Sequence, residues 1–129
     1  MARILIADDD AAASHRLADT LRRANFDVEI ATTAATACDV AEIELPDLII
    51  ADLMTSNPDG VELCRALNAA GLDTPVVFFT NCDTIGDRVR GLDAGAYGYV
   101  AKTADTDHLV AVVRAVVRRA APDTTPQPP

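Results

Sequence analysis

Four short apolar runs in this chain each end at a residue whose side chain is charged or carries a hydroxyl group. The runs are 4–7, 48–51, 76–79 and 99–101, and the residues that follow them are Asp8, Asp52, Thr80 and Lys102. A run without polar alternation is typical of a strand covered on both faces, as in a parallel sheet. Because ligands of open α/β sheets bind at the carboxyl ends of the strands, we expect these four side chains to share a site.

Segments with helical spacing of apolar residues separate the runs, so strand and helix alternate five times between residue 3 and about residue 119. A further strand, Asp27–Ala31, alternates polar and apolar residues, which indicates a half-exposed strand at the sheet edge. This order predicts an α/β fold with a doubly wound, five-stranded parallel sheet. A chain of 129 residues has room for one such domain, which we place at residues 1–119.

The C-terminal part of the chain gives two further predictions. The last helical segment, about residues 106–119, has apolar residues beyond the stripe needed to face a sheet, and we interpret the surplus Val110 and Val117 as a partner surface. Residues 120–129 contain four prolines and no core-forming side chain. They are typical of a disordered tail or a linker.

Composition excludes several classes of protein. A formal charge of -9 argues against direct nucleic-acid binding, which needs a basic face. Apolar stretches are shorter than the roughly 18 residues of a membrane span, and the first residues lead into a strand instead of a signal peptide, so we expect a cytoplasmic protein without membrane contact. Three widely spaced cysteines indicate neither a disulfide framework nor a zinc site.

Carboxylates dominate the predicted site, since Asp9 follows Asp8 and Asp52 ends another strand. Such charges, when gathered, repel each other and favour either a divalent cation or raised pKa values. Oxygen ligands suit Mg²⁺, which commonly also contacts phosphate oxygens. Thr80 and Lys102, the only lysine in the chain, can neutralise a phosphoryl group, and a carboxylate can accept one as an acyl phosphate.

The chain resembles the receiver domain of the bacterial two-component response regulator family from residue 3 to about residue 119. The motifs that carry the resemblance are residues 4–10, 48–52 with Asp59-Gly60, 76–80, 87–96 and 99–102. Each motif alone is weak, and all of them in register are strong. The resemblance implies a flavodoxin-like (β/α)5 fold with strand order 2-1-3-4-5.

Carried over residue by residue, the resemblance also implies roles. Asp52 would be the phosphoacceptor, Thr80 the switch hydroxyl, Lys102 the partner of the phosphoryl group and Tyr99 the aromatic switch. Asp8, Asp9, Asp52 and the backbone carbonyl of Met54 would hold Mg²⁺ or Mn²⁺.

The implied function is a phosphorylation-dependent signalling switch, not a turnover enzyme. Its phosphodonor would be a sensor histidine kinase or a phosphotransfer protein. The face formed by the fourth helix, the fifth strand and the fifth helix would control an output domain, a partner protein or a phosphorylation-dependent homodimer.

Two alternatives stay open. Asn81 stands where receivers commonly have a small residue, and Ser56 and Thr103 stand where prolines are common, which favours a degenerate receiver acting as a constitutive interaction module. The D-x-D pattern of Asp8 and Asp10 resembles haloacid-dehalogenase-type phosphatases, although that mechanism leaves Asp52 without a role.

The residues two positions after Asp52 and Thr80 predict a long-lived phosphoryl group. They are Met54 and Cys82, and neither has a charged or amide side chain that could orient an attacking water. We expect purified, radiolabelled phosphoprotein to lose its label slowly in the absence of a phosphatase. Rapid loss of the label under these conditions would contradict the prediction.

Overall fold

The computed structural model describes residues 1–53, 59–81, 84–103 and 105–120, and strands and helices alternate along them. The strands are β1 Arg3–Ala7, β2 Asp27–Ala31, β3 Leu48–Ala51, β4 Val76–Thr80 and β5 Gly98–Ala101. The helices are α1 Ala11–Arg23, α2 Ala34–Glu44, α3 Gly60–Ala69, α4 Ile85–Asp93 and α5 Thr106–Ala120.

The five strands form one parallel sheet in the order β2-β1-β3-β4-β5, which confirms the predicted fold class and strand order. Ala7 of β1 pairs with Ala51 of β3, and Thr80 of β4 pairs with Ala101 of β5. The carboxyl ends of these four strands therefore lie side by side. As the alternating pattern predicted, β2 is at the sheet edge.

Helices cover both faces of the sheet, which explains why its inner strands show no polar alternation. On one face, Ile4 and Ile6 of β1 pack in a hydrophobic cluster with residues of α1 and α5. On the other face, Leu5 and Ala7 pack with residues of α2 and α3. Successive side chains of a strand point to opposite faces, so the buried apolar residues of β1 alternate between the two clusters.

Polar residues cap the first four helices and fix where each one begins. The caps are Asp10, Thr33, Asp59 and Thr84, and the side chain of each accepts a hydrogen bond from the backbone N–H three residues later. Such a cap satisfies one of the N–H groups that the first helical turn leaves without a partner. Because Asp10 starts α1 directly after β1, residues 8 and 9 are confined to a short connection at the sheet edge.

The interpretation of Val110 and Val117 as a partner surface is wrong. Val110 is only 8% exposed, and Val117 is partly buried against the same hydrophobic cluster. The cluster combines α5 with α1 and the sheet, so α5 buries a wider arc than a stripe that faces strands alone. The large apolar side chains that are exposed on a helix of this region belong to α4 and are Ile85, Val89 and Leu92.

The boundary predicted at residue 119 lies one residue before the end of α5, which includes Ala120. The rest of the predicted disordered tail, residues 121–129, lies outside the described residues. Among the helices that the structure describes, α5 is the longest at 15 residues. None of these helices has the length and apolar character to cross a membrane.

Gly→Ala substitutions at the starts of α3 and α4 should have opposite effects on the stability of the fold. A Cβ at Gly60 would lie 2.5 Å from Phe78 Cε1 and 2.8 Å from the backbone oxygen of Asp52, so Gly60→Ala should lower the free energy of unfolding by about 1–3 kcal/mol. A Cβ at Gly86 in α4 would meet only Thr84 Oγ1 at 3.9 Å, so Gly86→Ala should raise it by about 0.5 kcal/mol. Urea unfolding of both variants measures the difference, and equal stabilities would contradict the close packing at Gly60.

Candidate functional site

The carboxyl edge of the sheet brings together the four residues that follow the apolar runs. Lys102 Nζ lies 3.0 Å from Asp8 Oδ2 and 2.7 Å from Asp52 Oδ2. Since Ala7 and Ala51 are paired, the two carboxylates at the next positions stand at neighbouring strand ends. Lys102 reaches them from the end of β5, where its backbone N–H donates to the carbonyl of Thr80.

Thr80 contacts the same carboxylate from β4. Its Oγ1 donates a hydrogen bond of 2.6 Å to Asp52 Oδ1, and the residue is fully buried. One oxygen of Asp52 therefore accepts from a hydroxyl group while the other accepts from an ammonium group. Hydrogen bonds to an ionised carboxylate are stronger than neutral ones, so Thr80 and Lys102 together fix the orientation of Asp52.

The ion pairs of this site are largely shielded from water. The exposed fraction of the side chain is 18% for Lys102, 10% for Asp8 and 14% for Asp52. Burial lowers the pKa of Lys102, but the hydrogen bonds and charges of Asp52 and Asp8 outweigh it and raise the pKa above the ordinary lysine value. A raised lysine pKa stabilises the fold below the ordinary value, and this contribution is lost only as the pH rises through the folded-state pKa. Lys102 is therefore a cation at neutral pH.

Asp8 and Asp9 have different surroundings. Asp8 is buried, and its Oδ1 accepts a hydrogen bond of 3.0 Å from the backbone N–H of Asp10, whereas Asp9 is exposed. Among the described residues, no three His, Cys, Asp or Glu side chains lie close enough to form a metal-binding group. The structure thus joins Asp8 to Asp52 through Lys102 and does not bring Asp9 into the same cluster. Met54, whose carbonyl was the fourth predicted ligand, lies outside the described residues.

The oxygen atoms at this edge suit a hard divalent cation. Mg²⁺ is usually held by one or two carboxylates and keeps several waters, so it does not require a complete cage of protein ligands. Asp8 and Asp52 offer two such carboxylates, and Asp9 is the next residue along the chain. The residues present therefore fit the metal, which would share these carboxylates with Lys102.

Tyr99 lies on β5, one strand away from Thr80. Its ring is half-buried and contacts Phe78 edge to face, with ring centroids 6.2 Å apart and an angle of 62° between the rings. Arg88 of α4 places its guanidinium carbon 5.7 Å from the centroid of the Tyr99 ring. The sequence did not indicate the contacts with Phe78 and Arg88, because they depend on how α4 lies across β4 and β5.

A groove of about 630 Å³ opens beside the site along α1. Asp8 and Lys102 of the site line the groove, Leu17 and Phe79 give it an apolar part, and Asn81 is exposed on its wall. The acidic site is therefore accessible from solvent through a groove that has both polar and apolar walls. Asn81, the residue after Thr80, therefore contributes to the shape of this approach.

Two cysteines lie away from the site on α2 and α3. Burial raises the pKa of Cys64 to about 11. Burial, with smaller effects of Asp39 and Glu42, also raises the pKa of the half-buried Cys38. Both thiols are free, and a raised pKa keeps them protonated and weakly nucleophilic at neutral pH. Cys82 lies outside the described residues.

Removal of the Lys102 ammonium should destabilise the fold. In Lys102→Met, Asp8 and Asp52 would face each other without a cation, and loss of one partner from a shielded, hydrogen-bonded charge pair costs about 2–5 kcal/mol. We expect urea unfolding at neutral pH without divalent cations to show a loss at the lower end of this range. Adding Asp52→Asn to Lys102→Met should recover part of the loss, and a double variant less stable than Lys102→Met would contradict charge repulsion as the cause.

Relatives of this chain are found by sequence and by structure. A profile of the response regulator receiver domain family matches residues 4–114. Response regulator MprA of Mycobacterium sp. (strain KMS) is 39% identical over 127 residues, which are 98% of this chain and 55% of MprA. MprA of Mycobacterium leprae (strain TN) is 38% identical over 121 residues, 94% of this chain and 53% of that protein. The chain thus spans about half the length of the curated relatives it matches.

Solved structures show the same architecture. The receiver domain of the Francisella response regulator 1452 aligns with a TM-score of 0.88 over 94% of this chain and 100% of that one, and its 24% sequence identity supports the fold alone. The BeF3-activated N-terminal receiver domain of Klebsiella pneumoniae RstA aligns with a TM-score of 0.85 at 30% identity, over 90% of this chain and 98% of that one. The family profile covers most of the sequence, and this chain therefore belongs to the response regulator receiver domain family.

Proposed function

We propose that this chain is a phosphorylation-dependent switch in which Asp52 accepts the phosphoryl group. The observation that carries the proposal is the simultaneous contact of Asp52 with the Thr80 hydroxyl at 2.6 Å and the Lys102 ammonium at 2.7 Å. Phosphoryl transfer needs positioned groups that neutralise charge on the transferred oxygens. Asp52, Thr80 and Lys102 lie at the ends of three different strands of one sheet, so Thr80 and Lys102 are positioned at the nucleophile before any phosphodonor arrives.

The proposed reaction forms an acyl phosphate on Asp52. A carboxylate oxygen of Asp52 attacks the phosphorus atom of a phosphohistidine, and the imidazole of the donor leaves with the electrons of the P–N bond. The donor would be a sensor histidine kinase or a phosphotransfer protein. The new group carries about -1.5 to -2 charge, and we propose that Lys102 pairs with it while Thr80 donates a hydrogen bond to it. Such a protein is modified once per signal and is not a turnover enzyme.

Asp8, Asp9 and Asp52, with the backbone carbonyl of Met54, would hold Mg²⁺ or Mn²⁺ in this proposal. When bound, the metal would neutralise charge on the phosphoryl oxygens. Asp8 is oriented for this role, because the backbone N–H of Asp10 donates to its Oδ1. Its Oδ2 is paired with Lys102, and we propose that the ammonium group of Lys102 turns from Asp8 to the phosphoryl group.

The proposed output surface comprises α4, β5 and α5. Tyr99 on β5 contacts Phe78 and Arg88, so a change at the end of β4 can reach α4 through this ring. The exposed apolar residues Ile85 and Val89 of α4 give this surface the character of a protein contact. We propose that it controls an output domain, a partner protein or a phosphorylation-dependent homodimer in the cytoplasm.

A constitutive interaction module is the second candidate, and one feature of the site favours it. Thr80 and Lys102 already satisfy both oxygens of Asp52 without a phosphoryl group. A domain that never reacts would be stable in this arrangement. The two candidates therefore differ in whether Asp52 can exchange these contacts for a phosphodonor.

Intact-mass measurement after incubation with Mg²⁺ and acetyl phosphate should separate the candidates. We expect one phosphoryl group on the unchanged protein, none on Asp52→Asn, and one on the control Asp73→Asn, which alters an exposed aspartate in the loop after α3. The reason is that, in the part of the chain that the structure describes, Asp52 is the only carboxylate that contacts both Thr80 and Lys102.

Two other outcomes of this experiment would favour a different function. No adduct on the unchanged protein, with either acetyl phosphate or a phosphorylated kinase domain, would favour the constitutive module. Steady release of phosphate that survives Asp52→Asn and is lost in Asp8→Asn would identify the D-x-D phosphatase mechanism.

A further inference from the structure

A cation from α4 lies against the aromatic ring of β5. The Arg88 guanidinium carbon is 5.7 Å from the centroid of the Tyr99 ring, a distance within the range of cation–π attraction. The same ring contacts Phe78 of β4 edge to face at 6.2 Å. Tyr99 is thus in contact with both a helix and the neighbouring strand, and the helix contact is electrostatic as well as steric.

The backbone of α4 approaches these two rings closely. A Cβ at Gly91 would lie 3.0 Å from Phe78 Cδ2 and 3.2 Å from Tyr99 Cδ2, which is tighter than ordinary van der Waals contact. α4 therefore has no spare room above Phe78 and Tyr99. A change in the orientation of the Tyr99 ring requires α4 or the Arg88 side chain to change position with it.

The sheet register connects this contact to the phosphoacceptor. Phe78 pairs with Tyr99 and Thr80 pairs with Ala101, so all four residues lie on one face of β4 and β5. Thr80 is fully buried on this face and donates to Asp52 Oδ1. Thr80 therefore lies two residues after Phe78 on the face that carries both rings.

We propose that Arg88 is a positioning residue that holds Tyr99 in its half-buried orientation and thereby keeps Thr80 beside Asp52. The proposal rests on the proposed function, since it assigns to Arg88 an effect on the phosphoryl group at Asp52. Closely packed elements such as α4 and β5 adopt a small number of distinct arrangements. A contact that forms in only one arrangement increases the population of that arrangement. A cation–π contact at a partly exposed site corresponds to a shift of about two- to five-fold. The affinity of the site for a phosphoryl group should depend on Arg88 to that extent.

The composition of the chain allows a direct measurement of Tyr99. The sequence has no tryptophan and two tyrosines, and Tyr97 is exposed, so Tyr97→Phe leaves Tyr99 as the only tyrosine fluorophore. In this background, Arg88→Met removes the cation and keeps an unbranched side chain, and Arg88→Lys keeps a cation. The matched control is Arg65→Met, which alters an exposed arginine on α3 that pairs with Glu62. Urea unfolding checks that each variant is folded.

Two quantities are measured on each variant. The first is the rate constant for acrylamide quenching of Tyr99, corrected for fluorescence lifetime, without metal or phosphoryl analogue. The second is the affinity for fluoroberyllate with Mg²⁺, determined by calorimetry so that the result does not depend on fluorescence. We expect Arg88→Met to raise the quenching rate constant at least about two-fold and to weaken fluoroberyllate binding about two- to five-fold. Arg88→Lys should fall between Arg88→Met and the parent, and Arg65→Met should match the parent.

Three results would overturn the proposal. An unchanged quenching rate constant in Arg88→Met would show that Arg88 does not hold Tyr99, and an effect of Arg88→Lys as large as that of Arg88→Met would exclude the cation as the cause. Equal fluoroberyllate affinities in the parent and in Arg88→Met would show that the Tyr99 contact is not coupled to Asp52. The proposed function would be contradicted by a different result, namely that the parent neither binds fluoroberyllate nor forms a phosphoryl adduct. That result would also overturn the proposed effect of Arg88 on Asp52.

Discussion

The arrangement of side chains at the carboxyl edge of this sheet depends on the ammonium group of Lys102, which contacts both Asp8 and Asp52. Two carboxylates, Asp8 and Asp52, stand at neighbouring strand ends because β1 and β3 pair in parallel register. In a largely shielded site their repulsion would oppose that register, and Lys102 offsets it from the end of β5 at 3.0 and 2.7 Å. The strand order 2-1-3-4-5 places β4 next to β3 and β5 next to β4, and Lys102 at the end of β5 reaches both carboxylates across β4.

Phe78 belongs to the hydrophobic core and also lies close to the residues that position the site. This ring is fully buried, and a Cβ on Gly60 of α3 or on Gly91 of α4 would come within 3.0 Å of it. The same Gly60 lies against the backbone oxygen of Asp52, while Gly91 lies against Tyr99. Close-packed interiors transmit displacements instead of absorbing them. The position of Asp52 and α4 are therefore linked through the side chain of Phe78 and the two glycines that pack against it.

Hydrophobic patterning was sufficient to predict the sheet and the side chains that meet at its edge, because strand ends in a parallel sheet converge whatever the details of the loops. The pattern failed for Val110 and Val117, because it assumes that a helix buries only the stripe that faces the sheet. Apolar residues of α5 belong to a hydrophobic cluster that also includes residues of α1. The pattern also gave no sign of the contact between Arg88 and Tyr99, which depends on the position of the α4 axis. Asp9 follows Asp8 in sequence but is exposed. The sequence pattern could not predict this difference, because the alternation within a strand does not determine the backbone direction after the strand ends.

The contacts of Asp52 would allow a phosphoryl group to be added and removed without leaving a buried group unpaired. If Asp52 accepts a phosphoryl group as we propose, Thr80 and Lys102 exchange one anionic partner for another, and neither is left buried without a partner. A ligand shifts a conformational equilibrium only by the difference in its interactions with the two states. Lys102 suits this exchange because its ammonium is a compact charge on a flexible stem, whereas the planar fork of an arginine favours a fixed bidentate pair. In the proposed reaction, a chain with ten arginines thus has its single lysine at the position where the cation changes partners.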